Sequence, residues 1–333
     1  MMYGSKKILG AYTRDRSNLL SMLIAVQDAM GFLPPEAIRQ IGRHVGLTDN
    51  EVYSFASFYS RFRFAPVDAH GHSRRETSVP VDEASSGGPG KLGEYLADGG
   101  FKGLSKALQL TPEDLEDEIT RSGIEEGDGA DSSLVERWQQ CRLSDGEKKY
   151  LIIQAAAAEP CALDARYLLE GNFFPALEGM LIAAFAAGAG HGIVCIDSRY
   201  TENLDSMDSA CRQLNDAGYL GTGILGSAFN FDLRFQVVGD PVPWGDGSKL
   251  IAALEGRRLT DCCDIAALHG CPTVFHSLAV LRHLPAILTN GADWYAGLGV
   301  GGHPGTQIIT LTGPVRKPGC HEIPTGAPLR QVV

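Results

Sequence analysis

Cys262, Cys263 and Cys271, with His269 and His276 close by, form the densest group of metal-binding side chains in this sequence. Thiolate and imidazole in that number suit a zinc or iron site. Their spacing matches no zinc or iron–sulfur motif, and none of the eight cysteines lies in a Cys-x-x-Cys pair. The expectation is no metal, with reduced and mostly buried thiols. A second chemistry is written into residues 122–138, which read Ser-Gly-Ile-Glu-Glu-Gly-Asp-Gly-Ala-Asp-Ser-Ser-Leu-Val-Glu-Arg-Trp. Glycines in a loop let backbone N–H groups approach a phosphate closely. Here Glu125, Glu126, Asp128 and Asp131 surround them with negative field, which repels an anion. Further on, alanines occupy positions 155 to 158, and the charge in that stretch comes from Glu159, Asp164 and Arg166. Alanine offers no side-chain hydrogen bond, so Glu159 and Arg166 read as a structural pair rather than a catalytic one.

These residues must be held by elements, and the pattern names them. Leu19, Leu20, Met22, Leu23, Val26 and Met30 recur at helical spacing, and Gly31 can end that helix. Pro34-Pro35 opens a second helix that closes near Gly46, and Thr48 with Glu51 is a capping box for a third. Residues 10–65 are thus a small helical unit. Residues 66–98 carry Pro66, Pro80 and a Ser-Ser-Gly-Gly-Pro-Gly run, the composition of a linker. Thr111-Pro112-Glu113-Asp114 starts a helix that ends near Gly123. From there strands and helices alternate: strand at 150–154, buried helix at 173–189, strand at 193–196, helix at 201–217, strand at 229–238. Helices at 248–257 and 273–290 follow, then a hairpin near the C-terminus. That order implies right-handed crossovers and a mostly parallel sheet with helices on its faces.

The chain has 333 residues and a net charge of −11, which argues against nucleic acid or an anionic membrane as partner. The most apolar stretch, residues 173–189, is interrupted by Pro175, Glu178 and Gly179 and is too short for a bilayer span. The N-terminus has no basic leader followed by an apolar core, so a cytoplasmic location is expected, or one peripheral to a membrane complex.

Residues 99–333 resemble the NADH- and flavin-binding subunit of complex I and its counterparts in NAD-linked hydrogenases and formate dehydrogenases. The resemblance rests on Gly100-Phe101-Lys102-Gly103-Leu104, Thr111-Pro112-Glu113-Asp114, Arg166-Tyr167-Leu168-Leu169-Glu170-Gly171, Leu177-Glu178-Gly179-Met180, Gly291-Ala292-Asp293-Trp294 and Lys317-Pro318-Gly319. Residues 15–62 resemble the helical N-terminus of the thioredoxin-like iron–sulfur partner subunit, most clearly at Ala56-Ser57-Phe58-Tyr59. The resemblance implies an α/β fold: a helical bundle at 10–65, a linker at 66–98, a flavin- and NADH-binding-like domain at 99–305, and the start of a β-grasp-like domain at 306–333. It also implies where the flavin should sit, and there this sequence departs from the pattern. The flavin loop at 122–138 has traded glycines and arginines for acids. The helix-opening run of the family is replaced by Val242, Pro243, Trp244, Gly245, Asp246, Gly247 and Ser248. The family's paired asparagines and glutamate become His276, Ser277 and Ala279. Gly123, Gly129, Glu159, Arg166, Gly245 and His276 are the vestiges of family site positions.

The expectation drawn from these departures is a redox-inactive accessory subunit with no cofactor and no catalytic residue. It would scaffold a larger electron-transfer complex together with iron–sulfur and flavoprotein subunits. Trp244, Phe275 and His276 would fill the vacated flavin cavity. The alternative is a divergent NADH dehydrogenase or diaphorase subunit that still binds FMN or NAD(H). A third reading is a regulatory module whose remodelled pocket senses another small molecule.

Overall fold

The computed structural model describes residues 8–58, 62–63, 92–126, 133–155, 168–169, 171–239, 247–258, 267–311, 315 and 319–332. The chain divides into two compact units, Met1–Val79 and Pro80–Val333.

Among the described residues of the first unit, three helices of ten to twelve residues pack around one core. Helix α1 (Leu19–Met30) buries Leu19, Met22, Leu23 and Val26 on one stripe and stops at Gly31, whose φ of 80° is left-handed. Helix α2 (Pro35–Val45) starts at a proline, buries Ala37, Ile38, Ile41 and Val45, and stops at Gly46. Helix α3 (Asp49–Phe58) starts where the Glu51 carboxylate accepts from both the N–H and the hydroxyl of Thr48. Val52 and Ala56 of α3 complete the core.

In the second unit, helices α4 (Leu92–Ala97), α5 (Lys102–Ala107), α6 (Pro112–Ser122) and α7 (Leu134–Leu143) precede the sheet. Thr111 caps α6 by accepting from the Asp114 N–H, and Gly123 ends it at φ 69°. Ser133 and Glu136 form a capping box on α7. The sheet then builds from β1 (Tyr150–Ala155), helix α8 (Phe174–Ala187), β2 (His191–Asp197), helix α9 (Leu204–Asp216) and β3 (Asp232–Val238). After helix α10 (Gly247–Leu254) come β4 (Ala267–Leu268) and β5 (Cys271–Ser277). The spatial order is β3-β2-β1-β5-β4, parallel except for β4, which runs antiparallel to β5. The mixed α/β fold with a mostly parallel sheet is the one its alternating pattern implied.

Two faces of the sheet are covered. Leu151, Ile153, Ala155, Val194, Ile196 and Val274 face α8, which is apolar almost all round and buried. Ile152, Ile193 and Cys195 face α10 through Leu250 and Ile251. Strands buried on both faces read as continuous apolar runs, as these do. Short helices α11 (Leu278–Leu281), α12 (Leu284–Asn290) and α13 (Ala292–Ala296) follow β5. An antiparallel hairpin of β6 (Thr306–Leu311) and β7 (Gly319–Pro324) comes next.

Two element boundaries differ from the pattern. The helix expected over 273–290 is a strand to Ser277 and two short helices after it. β-Branched Thr273 and Val274 sit in a strand paired to β1, and Pro272 falls at its edge, opposite β4. The helix expected from 201 begins as a 3-10 turn, Ser198–Asn203, with a kink at Tyr200, before α9.

Candidate functional site

In an open α/β sheet, ligands bind outside the carboxyl ends of the strands, where the strand order reverses. From β1 the chain runs outward through β2 to β3, then returns to place β5 on the other side of β1. The crevice therefore lies over the carboxyl ends of β1 and β5, where Ile153 pairs with His276 and Gln154 with Ser277.

That crevice holds a buried polar knot. Glu126 enters it from the segment after α6. Its Oε2 lies 2.5 Å from His276 Nδ1, and its Oε1 accepts from the Ser277 N–H at 2.5 Å. The indole Nε1–H of Trp138, on α7, donates to His276 Nε2 at 2.7 Å. Arg137, next to it, donates to the Phe275 carbonyl at 3.3 Å and reaches within 4.0 Å of Glu126 Oε2. The side chains of His276 and Glu126 are 0% and 3% exposed. An indole N–H can only donate, so Nε2 of His276 accepts and its proton sits on Nδ1, facing Glu126. The Ser277 N–H and the imidazole, with the indole behind it, thus point at one carboxylate.

Phe275 and His276 do not share this space. Neighbours on a strand point to opposite faces, and Phe275 packs on the α10 side, where a Cβ added at Gly247 would meet its ring at 3.2 Å. His276 alone faces the crevice. Of the other expected positions, Gly123 is the left-handed residue closing α6. Gly129, Glu159, Arg166, Trp244 and Gly245 lie outside the described residues. So do Cys262 and Cys263. Cys271 is half-buried, with its Sγ 3.8 Å from the His269 carbonyl. Among the described residues no group of three or more His, Cys, Asp or Glu is disposed to hold a metal. Nor is any described helix long and apolar enough to cross a membrane.

A cavity of about 360 Å³ adjoins the knot, walled by Glu125 and Glu126, by Arg282, His283 and Tyr295, and by His303. A larger one of about 870 Å³ opens at the other end of the strands, beside Lys149, His191 and Asp232. It is at the amino ends, away from the strand-order reversal, and size alone does not make it the site. Burial drives the His283 pKa down to about 3, and the nearby Arg282 guanidinium pushes the same way.

A second buried carboxylate is legible in the sequence as an interruption of an apolar run. Glu178, on α8, accepts from the Tyr95 hydroxyl at 2.5 Å and from the N–H groups of Phe101 at 2.7 Å and Leu104 at 2.9 Å. It ties α4, α5 and α8 together.

Residues 119–275 match the family described as the Nuo51 FMN-binding domain, and residues 5–73 match the thioredoxin-like [2Fe-2S] ferredoxin family. One component of the NADH-quinone oxidoreductase of Rhizobium meliloti (strain 1021) is 32% identical over 248 residues, 73% of this chain and 59% of that protein. HndC, a component of the NADP-reducing hydrogenase of Solidesulfovibrio fructosivorans, is 31% identical over 250 residues, 74% of this chain and 51% of that one. The chain thus spans between half and three fifths of these relatives' length. A crystal structure of an NAD+-reducing [NiFe]-hydrogenase in the H2-reduced state shares the fold, with a TM-score of 0.63 over 96% of this chain and 69% of that one, at 21% identity.

These matches correct one expectation. The reading that no cofactor is taken is overturned by the match of residues 119–275 to an FMN-binding family. The lost glycines and arginines change the loop's charge but leave the crevice at the strand-order reversal in place. The crevice has the position such a group needs. With Glu126 seated, its Ser277 N–H and His276 Nδ1–H are already taken by the chain's own anion. A [2Fe-2S] cluster does not fit residues 5–73, which contain no cysteine.

Proposed function

We propose a function from one premise: this chain resembles the FMN- and NADH-binding flavoprotein subunits of complex I and of NAD-linked hydrogenases. On that premise it is a flavoprotein-type subunit of a multisubunit electron-transfer complex, and FMN is the cofactor its crevice takes. When bound, FMN supplies exchange between two-electron donors and one-electron acceptors. Its partners are iron–sulfur and flavoprotein subunits, and within the assembly its role is accessory: it positions them, and at rest it does not itself turn over NADH. A peripheral, cytoplasmic placement goes with that role.

The single observation that carries this reading is the buried knot at the strand-order reversal, where Glu126, His276, Ser277 and Trp138 close the crevice inside a retained frame. The protein's own residues have defined tasks there. Ser277 N–H and His276 Nδ1–H bind an anion, Trp138 fixes the imidazole tautomer, and the bulk of α7 and α8 excludes water.

The test is native purification of the complex through this chain, with NADH–ferricyanide reductase assayed on the chain alone. Stable co-purification with iron–sulfur subunits, and no reductase activity in the isolated chain, is the expected result. Recovery of the chain without partners, or diaphorase-level turnover by the chain alone, would overturn the reading.

A further inference from the structure

We propose that the Glu126 side chain is a tethered substitute for the phosphate of FMN, so that flavin binding in this chain is a displacement reaction. The proposal rests on the reading of the crevice as an FMN site and adds what controls access to it.

The donors around Glu126 form an anion receptor. Two hydrogen bonds at 2.5 Å and a guanidinium at 4.0 Å converge on a carboxylate that is 3% exposed. A buried carboxylate without such partners is strongly destabilising, so the donors and the anion require each other. Among the described residues, neither hydrogen-bond donor has a second acceptor to turn to if the carboxylate leaves. The Nδ1 proton of His276 is held toward Glu126 by the Trp138 bond on the other ring nitrogen, and the Ser277 N–H is fixed by the backbone. A receptor of this kind, vacated, is left with unmet donors and takes another anion.

The two ends of the knot come from segments 150 residues apart. Both belong to stretches that depart from the flavoprotein pattern: Glu126 in the loop that lost its glycines and arginines, His276 where an asparagine is expected. Each departure is the other's partner. Two unrelated losses would not place an imidazole N–H against a new carboxylate. The adjoining 360 Å³ cavity, with the Arg282 side chain in its wall, gives a displaced Glu126 side chain room to turn into.

The experiment titrates FMN into the full chain by quenching of flavin fluorescence, for the wild type, Glu126→Gly and Glu126→Gln. Thermal melting checks that each is folded. Glu126→Gly is expected to bind FMN at least tenfold more tightly than the wild type. Millimolar inorganic phosphate should weaken FMN binding to that variant and leave the wild type unchanged. Glu126→Gln, uncharged but of the same size, should fall between them and serves as the readout if the glycine variant does not fold. A flavin-free readout accompanies this: nitrogen-15 spectra should show His276 as the Nδ1–H tautomer, with that proton exchanging slowly in the wild type and faster in Glu126→Gln. Equal FMN affinity in all three chains, including none in any, overturns the proposal. So does unchanged exchange of the His276 proton. Equal but measurable affinity overturns the displacement alone, whereas no binding in any chain also removes FMN from the functional reading, whose accessory role is tested separately by co-purification with partner subunits.

Discussion

Glu126 and Glu178 are both buried carboxylates of the second unit, and they do different work. Glu126 sits in the crevice and is held by groups that suit a ligand. Glu178 sits in the core and holds backbone: its oxygens accept from Phe101 and Leu104 N–H and from the Tyr95 hydroxyl, and burial raises its pKa against the pull of those donors. Glu178→Leu keeps the volume but strands three buried donors. It should cost about 3 kcal/mol or more of stability, read as a lower urea midpoint at an unchanged slope. Glu178→Gln, which keeps an acceptor oxygen, should cost less. Glu178 was visible in the sequence because an acid inside an apolar helical run demands a partner, yet nothing local named Tyr95, 83 residues away. Glu126 was visible only as a loss. Its meaning depends on His276, and a contact across 150 residues leaves no mark in either segment.

At the scale of elements, capping chemistry was the most readable part. Thr48 with Glu51, Thr111 with Asp114, and the glycines at 31, 46 and 123 lie where the helices begin and end. The strand β5 was not readable as a strand. A short apolar run fits either period, and an adjoining run that is truly helical drew it into one element. Pairing with β1 decides it, and that is a tertiary fact. The junction after β5 also explains Gly179 on α8. A Cβ there would stand 1.8 Å from the Leu281 carbonyl oxygen, so α8 and α11 touch through backbone. A methyl group has nowhere to go without moving a helix. Gly179→Ala is expected to destabilise by about 3 kcal/mol, at the upper end for overpacking, with the melting temperature falling accordingly. Gly31→Ala in the other unit meets no atom within 4 Å and should cost only its left-handed strain, about 1 kcal/mol.

For the whole molecule, two buried groups contribute to stability against pH in opposite directions. His283 has its pKa lowered from 6.5 to about 3, so the unfolded chain takes a proton that the folded chain refuses. Its contribution is therefore present above pH 6.5 and is lost as pH falls toward 3, by up to about 5 kcal/mol. Glu178 runs the other way. Its folded pKa lies above 4.5, so its contribution is full below pH 4.5 and declines as pH rises through the raised value. Melting temperatures from about pH 7.5 to about pH 3.5 should fall steeply for the wild type and less steeply for His283→Gln; equal slopes would remove His283 from the account. The strand order has a further consequence, for synthesis. β1 pairs on one side with β2, which follows it closely, and on the other with β5, more than a hundred residues later. At roughly 5–20 residues per second, the ribosome takes on the order of ten seconds to deliver β5. Through that interval the middle strand of the sheet has one bare edge and the apolar α8 already made, an exposure that pairing with β5 removes.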